Sequence, residues 1–121
     1  MKHIKKINEY SNGQNIVITL PKKILWKQYE KELQDVKSGD KVLNFKVSNF
    51  PKNTKVGNKC YLVHDSSVVG WMNIVGFEEK EFKCETTGKK WKGKFIQRSG
   101  TFHKIDPIKM KGFQGFRYYS S

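Results

Sequence analysis

The chain has 121 residues, 36% of them hydrophobic, and that length builds one domain with a real core and excludes two. A formal net charge of +13 with 13% aromatics excludes a disordered basic tail and points to a polyanionic partner, RNA or single-stranded nucleic acid before an anionic membrane surface. No apolar run is long enough to cross a bilayer and no leader-like stretch follows Met1, so a soluble, cytoplasmic protein without a membrane partner is expected.

Residues 1–15 are polar and lysine-rich and end in Ser11-Asn12-Gly13, which predicts a flexible basic arm ahead of a single domain over 16–121. Ile16-Val17-Ile18-Thr19-Leu20 is a β-branched run and predicts a buried strand. Pro21 then suits the opening of a helix, where its missing N–H costs nothing. Leu25, Tyr29, Leu33 and Val36 recur at helical spacing among lysines and glutamates. This amphipathic helix should cover one mouth of a sheet and stop before Ser38-Gly39-Asp40.

From Lys41 the apolar period changes from 3.6 to 2. Val42 to Val47 reads as a strand, and Asn49 to Asn53 as a loop. Cys60 to Val63 and Val68 to Phe77 read as a hairpin joined at His64-Asp65-Ser66-Ser67. Glu78-Glu79-Lys80-Glu81 reads as a solvated loop, and Phe82 with Cys84 as a short strand. Gly93 to Ile105 predicts a further strand, with a break at Ser99-Gly100 and an end at Asp106-Pro107. Phe116 to Tyr119 is the last strand, reached through the glycine-punctuated Lys111 to Gly115. Five to seven short strands with one helix near the N-terminus define a mostly β, α+β fold, a small closed or nearly closed barrel.

The end of the chain concentrates its charge. From Thr86 to Ser121 there are nine Lys/Arg against Asp106 alone, which is +8 of the +13, and Trp91, Phe95, Phe102, Phe113, Phe116, Tyr118 and Tyr119 lie among them. Cations neutralise phosphates and rings stack on bases, so this interleaving suits nucleic acid; it also suits a solvated basic face over an aromatic core. Arg98-Ser99-Gly100 combines a cation, a hydroxyl and an open backbone amide, a set that can hold a phosphate. In Lys111 to Tyr118, Gln114 can pair with a base edge, Arg117 can reach guanine or phosphate, and Tyr118 can stack. Trp71 beside Gly70 is either a stacking platform or core. Lys89 and Lys90, in the turn before Trp91, complete the candidate interface.

Cys60 and Cys84 form no CxxC and the three histidines are scattered, so neither a metal nor a cofactor is expected. No Ser-His-Asp order, paired catalytic carboxylates, P-loop or dinucleotide fingerprint is present.

The run Gly39-Asp40-Lys41-Val42-Leu43-Asn44-Phe45-Lys46, following the helix, resembles the G-x-K-x-x-E-x-R signature of the ASCH domain within the PUA-like β-barrel superfamily. Val56-Gly57-Asn58 before a hydrophobic strand, then Val69-Gly70-Trp71, is similar to the corresponding block of those barrels. The resemblance spans roughly residues 16–77 in pattern and implies a PUA-like barrel that binds RNA or a modified base. It places Lys41 at the family's lysine and Asn44 at its glutamate, and Asn44 cannot act as a carboxylate base. Three functions follow. The first is nucleic-acid binding, with one base or modified nucleotide held in a pocket and Lys41 among the contacts. The second is an ASCH-like hydrolase of a modified nucleoside, with Lys41 as activating group and Glu85 or Asp106 as a replacement acid. The third is a basic adaptor for an acidic protein partner.

Overall fold

A computed structural model describes residues 13–21, 24–39, 41–83, 88 and 90–119. Strand β1 (Ile16–Thr19) leads into helix α1 (Trp26–Val36), followed by β2 (Leu43–Val47), β3 (Lys59–His64), β4 (Ser67–Lys83), β5 (Lys90–Lys109) and β6 (Phe116–Tyr118). The six strands form one sheet in the order β2-β5-β4-β3-β1-β6. Among the described strands, β1 and β3 alone run parallel, with α1 and β2 intervening between them. The sheet curls into a half-barrel with α1 against its inner face.

The curl comes from three irregularities in the β4–β5 ladder. Between Val68↔Ile108 and Gly70↔Lys104, residues 105–107 stand opposite Val69 alone. Pro107 lies in that bulge, where no ladder donor is asked of it, so β5 does not end at Asp106-Pro107 but runs on to Lys109. Between Trp71↔His103 and Asn73↔Ser99 the extra residues include Gly100, whose φ of 89° only a glycine adopts easily. The third shift falls between Ile74 and Gly76. The break expected at Ser99-Gly100 is therefore a bulge inside one strand.

Two further expectations are corrected. Glu78 to Glu81 is not a loop but part of β4, because Glu79 stands opposite Lys94 and Glu81 opposite Lys92, pairs of opposite charge that favour a ladder. The helix does not open at Pro21. The Leu20 N–H still bonds Val63 O at 2.8 Å, so the chain stays on the sheet through Leu20, and the Ile24 N–H bonds Pro21 O at 3.0 Å before α1 begins at Trp26. At its other end, Gly39 (φ 87°) returns its N–H to Val36 O at 3.0 Å.

Strand alternation sorts the core into two layers. The inner layer joins Ile16, Ile18, Leu62, Met72, Ile74 and Ile96 to Tyr29, Leu33 and Val36 of α1. The outer layer holds Val17, Tyr61, Val63 and Val68, covered by Trp71, Ile105, Met110, Phe113 and Tyr119. Each fully buried aliphatic side chain contributes about 1.5–3 kcal/mol. The β3–β4 turn is as expected: Asp65 and Ser66 take φ of 51° and 61° between the paired His64 and Ser67. Gly13, Gln14 and Asn15, placed in the arm by sequence, are hydrogen-bonded to Asn58, Asn53, Thr54, Lys59 and Tyr119. The preceding twelve residues of the expected arm lie outside the described residues.

Candidate functional site

Arg98 is the centre of the site. It stands on β5 between Leu43 of β2 and Ile74 of β4, and alternation turns it inward beneath α1. It is 5% exposed. Its Nη1 donates to the Tyr29 hydroxyl at 3.0 Å, and its Nε has no partner. The ion pairs Lys90–Glu81 and Lys104–Glu30 do not involve Arg98. Burial pulls its pKa down, while Tyr29, Cys60 and Glu32 push it up, and the net displacement is upward. The Cys60 thiol is itself pushed up to about 11, burial outweighing the nearby Arg98, so it carries no charge at neutral pH. The guanidinium is thus a buried cation whose direct partner is a phenol.

A cleft of about 250 Å³ opens beside it. Thr19, Ile24 and Tyr29 line it together with Leu43, Phe45, Lys46 and Arg98. Glu32, exposed on α1, brings a carboxylate to the rim. The lining combines apolar walls with two cations, Arg98 and Lys46, the Glu32 carboxylate, the Asn44 amide and the Tyr29 hydroxyl, the composition of a small-ligand pocket.

Ser99, the neighbour of Arg98, is buried and already engaged. Its hydroxyl faces the carbonyls of Lys41 and Val36 and ties the end of α1 and the approach to β2 onto β5. Lys41 is exposed and does not line the cleft. Asn44 pairs with Gln97 in the ladder and accepts a hydrogen bond from its amide at 3.3 Å, on the face opposite Arg98. The positions of β2 that share Arg98's face are Leu43, Phe45 and Val47. The motif placed on Gly39 to Lys46 therefore gives the helix-ending glycine and two residues of the cleft lining, Asn44 and Lys46, but pairs its acid position with Gln97 and not with Arg98. Of the acids named as replacements, Asp106 is exposed in the β5 bulge and Glu85 lies outside the described residues.

The other predicted residues gather elsewhere. Trp71 is half-buried on the outer face between two neighbours. His103 of β5 stacks on it at 4.0 Å and 17°, and Lys59 of β3 lies 4.5 Å from its ring centre. Because β4 runs between β3 and β5, these two groups approach the indole from opposite sides. Arg117 lies over Phe113 at 4.3 Å, and Tyr61 meets Tyr119 at 4.6 Å. The register places His103, Trp71, Tyr61, Val17 and Arg117 in one row across five strands. Lys111 and Gln114 are exposed on the loop whose Met110 and Phe113 cover this face. Tyr118 is 43% exposed, and its hydroxyl accepts the Asn53 N–H at 3.3 Å. Lys90 pairs with Glu81 at 3.8 Å on the β4–β5 ribbon, and Lys89 lies outside the described residues.

The fold thus separates the predicted residues into an inner cleft, holding Arg98, and an outer basic face, holding Trp71, Lys111, Gln114 and Arg117. Tyr29 and Glu32 were missed by sequence, where they read as core and solvated positions of one helix. Among the described residues no group of three or more His, Cys, Asp or Glu is gathered to hold a metal ion. No described helix is long and apolar enough to cross a membrane.

A curled sheet with one helix across its inner face and a cleft between them is the architecture of a small PUA-like pseudobarrel. The crystal structure of ZmASCH from Zymomonas mobilis, a tyrosine-to-phenylalanine variant, is similar over 88% of this chain and 91% of that one, with a TM-score of 0.55 and 14% sequence identity. The chain has the fold of an ASCH-type PUA-like domain. No family model matches the sequence, and no curated protein matches it.

Proposed function

We propose that this protein binds RNA or another single-stranded nucleic acid and holds one base or modified nucleotide in the cleft beneath α1. The observation that carries the reading is the buried Arg98, unpartnered at Nε and beside a cleft of about 250 Å³. A buried polar group without a partner is costly, and a bound ligand supplies that partner. The net charge of +13 and the likeness in fold to an ASCH protein support the same reading. The cleft takes the terminal or flipped-out nucleotide, while Lys111, Gln114, Arg117 and Lys59 of the outer face meet the rest of the strand. Hydrolysis is the weaker reading, because Lys41 does not line the cleft and Asn44, which does, offers an amide engaged by Gln97 in place of a carboxylate.

The test is a salt titration of binding to a labelled single-stranded RNA and its DNA counterpart. Binding that persists near physiological salt and prefers one polymer supports a nucleotide reader. Equal binding to both polymers at low salt alone sinks it, since net charge then explains everything.

A further inference from the structure

Arg98 has a full charge, a buried position and no carboxylate partner. Its hydroxyl neighbour is only half used. Tyr29 accepts from Arg98 Nη1, which leaves the tyrosine's own proton free to donate. Arg98, whose buried Nε–H has no acceptor, and Tyr29, with its O–H, both line the cleft. Of the remaining walls, Ile24, Leu43, Phe45 and Leu62 can take a flat or apolar body, while Lys46 adds a second cation and Glu32 a carboxylate to the lining. A neutral base edge would offer Arg98 only dipoles. An anion answers it with a whole charge in a dry setting, where charge-assisted hydrogen bonds are strongest.

We propose that the cleft takes an oxyanion, a terminal phosphate or a carboxylate on a compact planar body, as the missing counter-charge of Arg98. This rests on the reading of the cleft as the ligand site and specifies which group enters it. Glu32 at the rim opposes the same anion, so the anionic end must pass it and sit deep against Arg98. The outer face carries no such selectivity, because its cations are exposed and meet any phosphate.

The experiment compares hexauridylate bearing a 5′-phosphate, a 3′-phosphate or neither, with uridine-5-oxyacetic acid beside uridine as the carboxylate arm. All titrations share one ionic strength. The expected result is that one oxyanion tightens binding by about tenfold or more over its neutral counterpart, in line with a charge-assisted pair. Phosphate and carboxylate arms tell the two sources apart. Arg98→Met should erase the increment. Glu32→Gln, an exposed change that leaves the fold alone, should tighten the favoured oxyanion several-fold, and it keeps the test open if Arg98→Met does not fold. Equal binding of every charged probe and its neutral counterpart overturns the proposal, as does an unchanged affinity in Glu32→Gln. If unphosphorylated RNA still binds in that case, the nucleic-acid reading survives alone. If RNA does not bind but the carboxylate probe does, through Arg98, the oxyanion site survives alone.

Discussion

The guanidinium of Arg98 donates to the hydroxyl of Tyr29 at 3.0 Å, joining the middle of β5 to the buried face of α1. The bond fixes the helix over the cleft and leaves the cation without a carboxylate. Removing either end should separate structure from charge. Tyr29→Phe keeps the ring and strands the Nη1 donor, so it should cost about 1–3 kcal/mol in urea unfolding. Arg98→Met removes a buried charge that no salt bridge among the described residues pairs and should be neutral or stabilising by about 1–4 kcal/mol. A large loss of stability in Arg98→Met would mean that the fold itself compensates the charge.

Ser99→Ala should act on stability and not on nucleic acid. It deprives the carbonyls of Lys41 and Val36 of a buried donor, at a cost of about 1–3 kcal/mol. Affinity for RNA should follow the folded fraction only. Intact stability with a reduced salt slope would instead make Ser99 a phosphate contact.

Arg117→Ala and Lys111→Ala change exposed cations of the outer face. Each should lower the slope of log K against log salt by about 0.7 on single strands, if each neutralises one phosphate. Stability should stay within about 0.5 kcal/mol. Unaltered slopes in both variants would remove the outer face from the interface.

Trp71→Ala opens the outer core layer where the indole meets His103 and Lys59, and should cost about 2–4 kcal/mol, less than a fully buried tryptophan. His103→Ala is the sharper probe. It uncovers one side of the indole with little loss of packing. A base that stacks on Trp71 should then bind more tightly, whereas one that contacts His103 should bind more weakly. Fluorescence titration of the tryptophan with RNA reads either change.

Cys60 sets a pH dependence. Burial raises its thiol from 9.0 to about 11, so the fold favours the protonated form. Its contribution is complete below the unfolded value, declines as pH rises above about 9 and is lost as pH passes 11. Wild type should lose stability over that window more steeply than Cys60→Ala, in urea unfolding at several pH values. Parallel curves for the two proteins would show that the thiol is not held protonated by the fold.

Most elements were legible because short-range chemistry wrote them. The β-branched run at Ile16, the helical stripe at Tyr29, Leu33 and Val36, and the turn at Asp65-Ser66 each follow from local pattern. The misreadings occurred where a neighbouring strand changed the answer. Glu78 to Glu81 looks solvated until β5 places lysines opposite. Pro107 looks like an end until a bulge gives it a place without a donor. The motif at Gly39 to Lys46 located β2, but a strand's inward face is set by its partner, and β5 turned Asn44 outward.

The sequence by itself determined a small, basic, mostly β domain with one helix, because composition and periodicity act within a few residues of themselves. Tertiary structure alone decided that Arg98 is buried, that Tyr29 is its partner, and that Trp71 is enclosed by His103 and Lys59. Those outcomes depend on which residues, 69 positions apart for Arg98 and Tyr29, the curled sheet and its bulges bring onto one face.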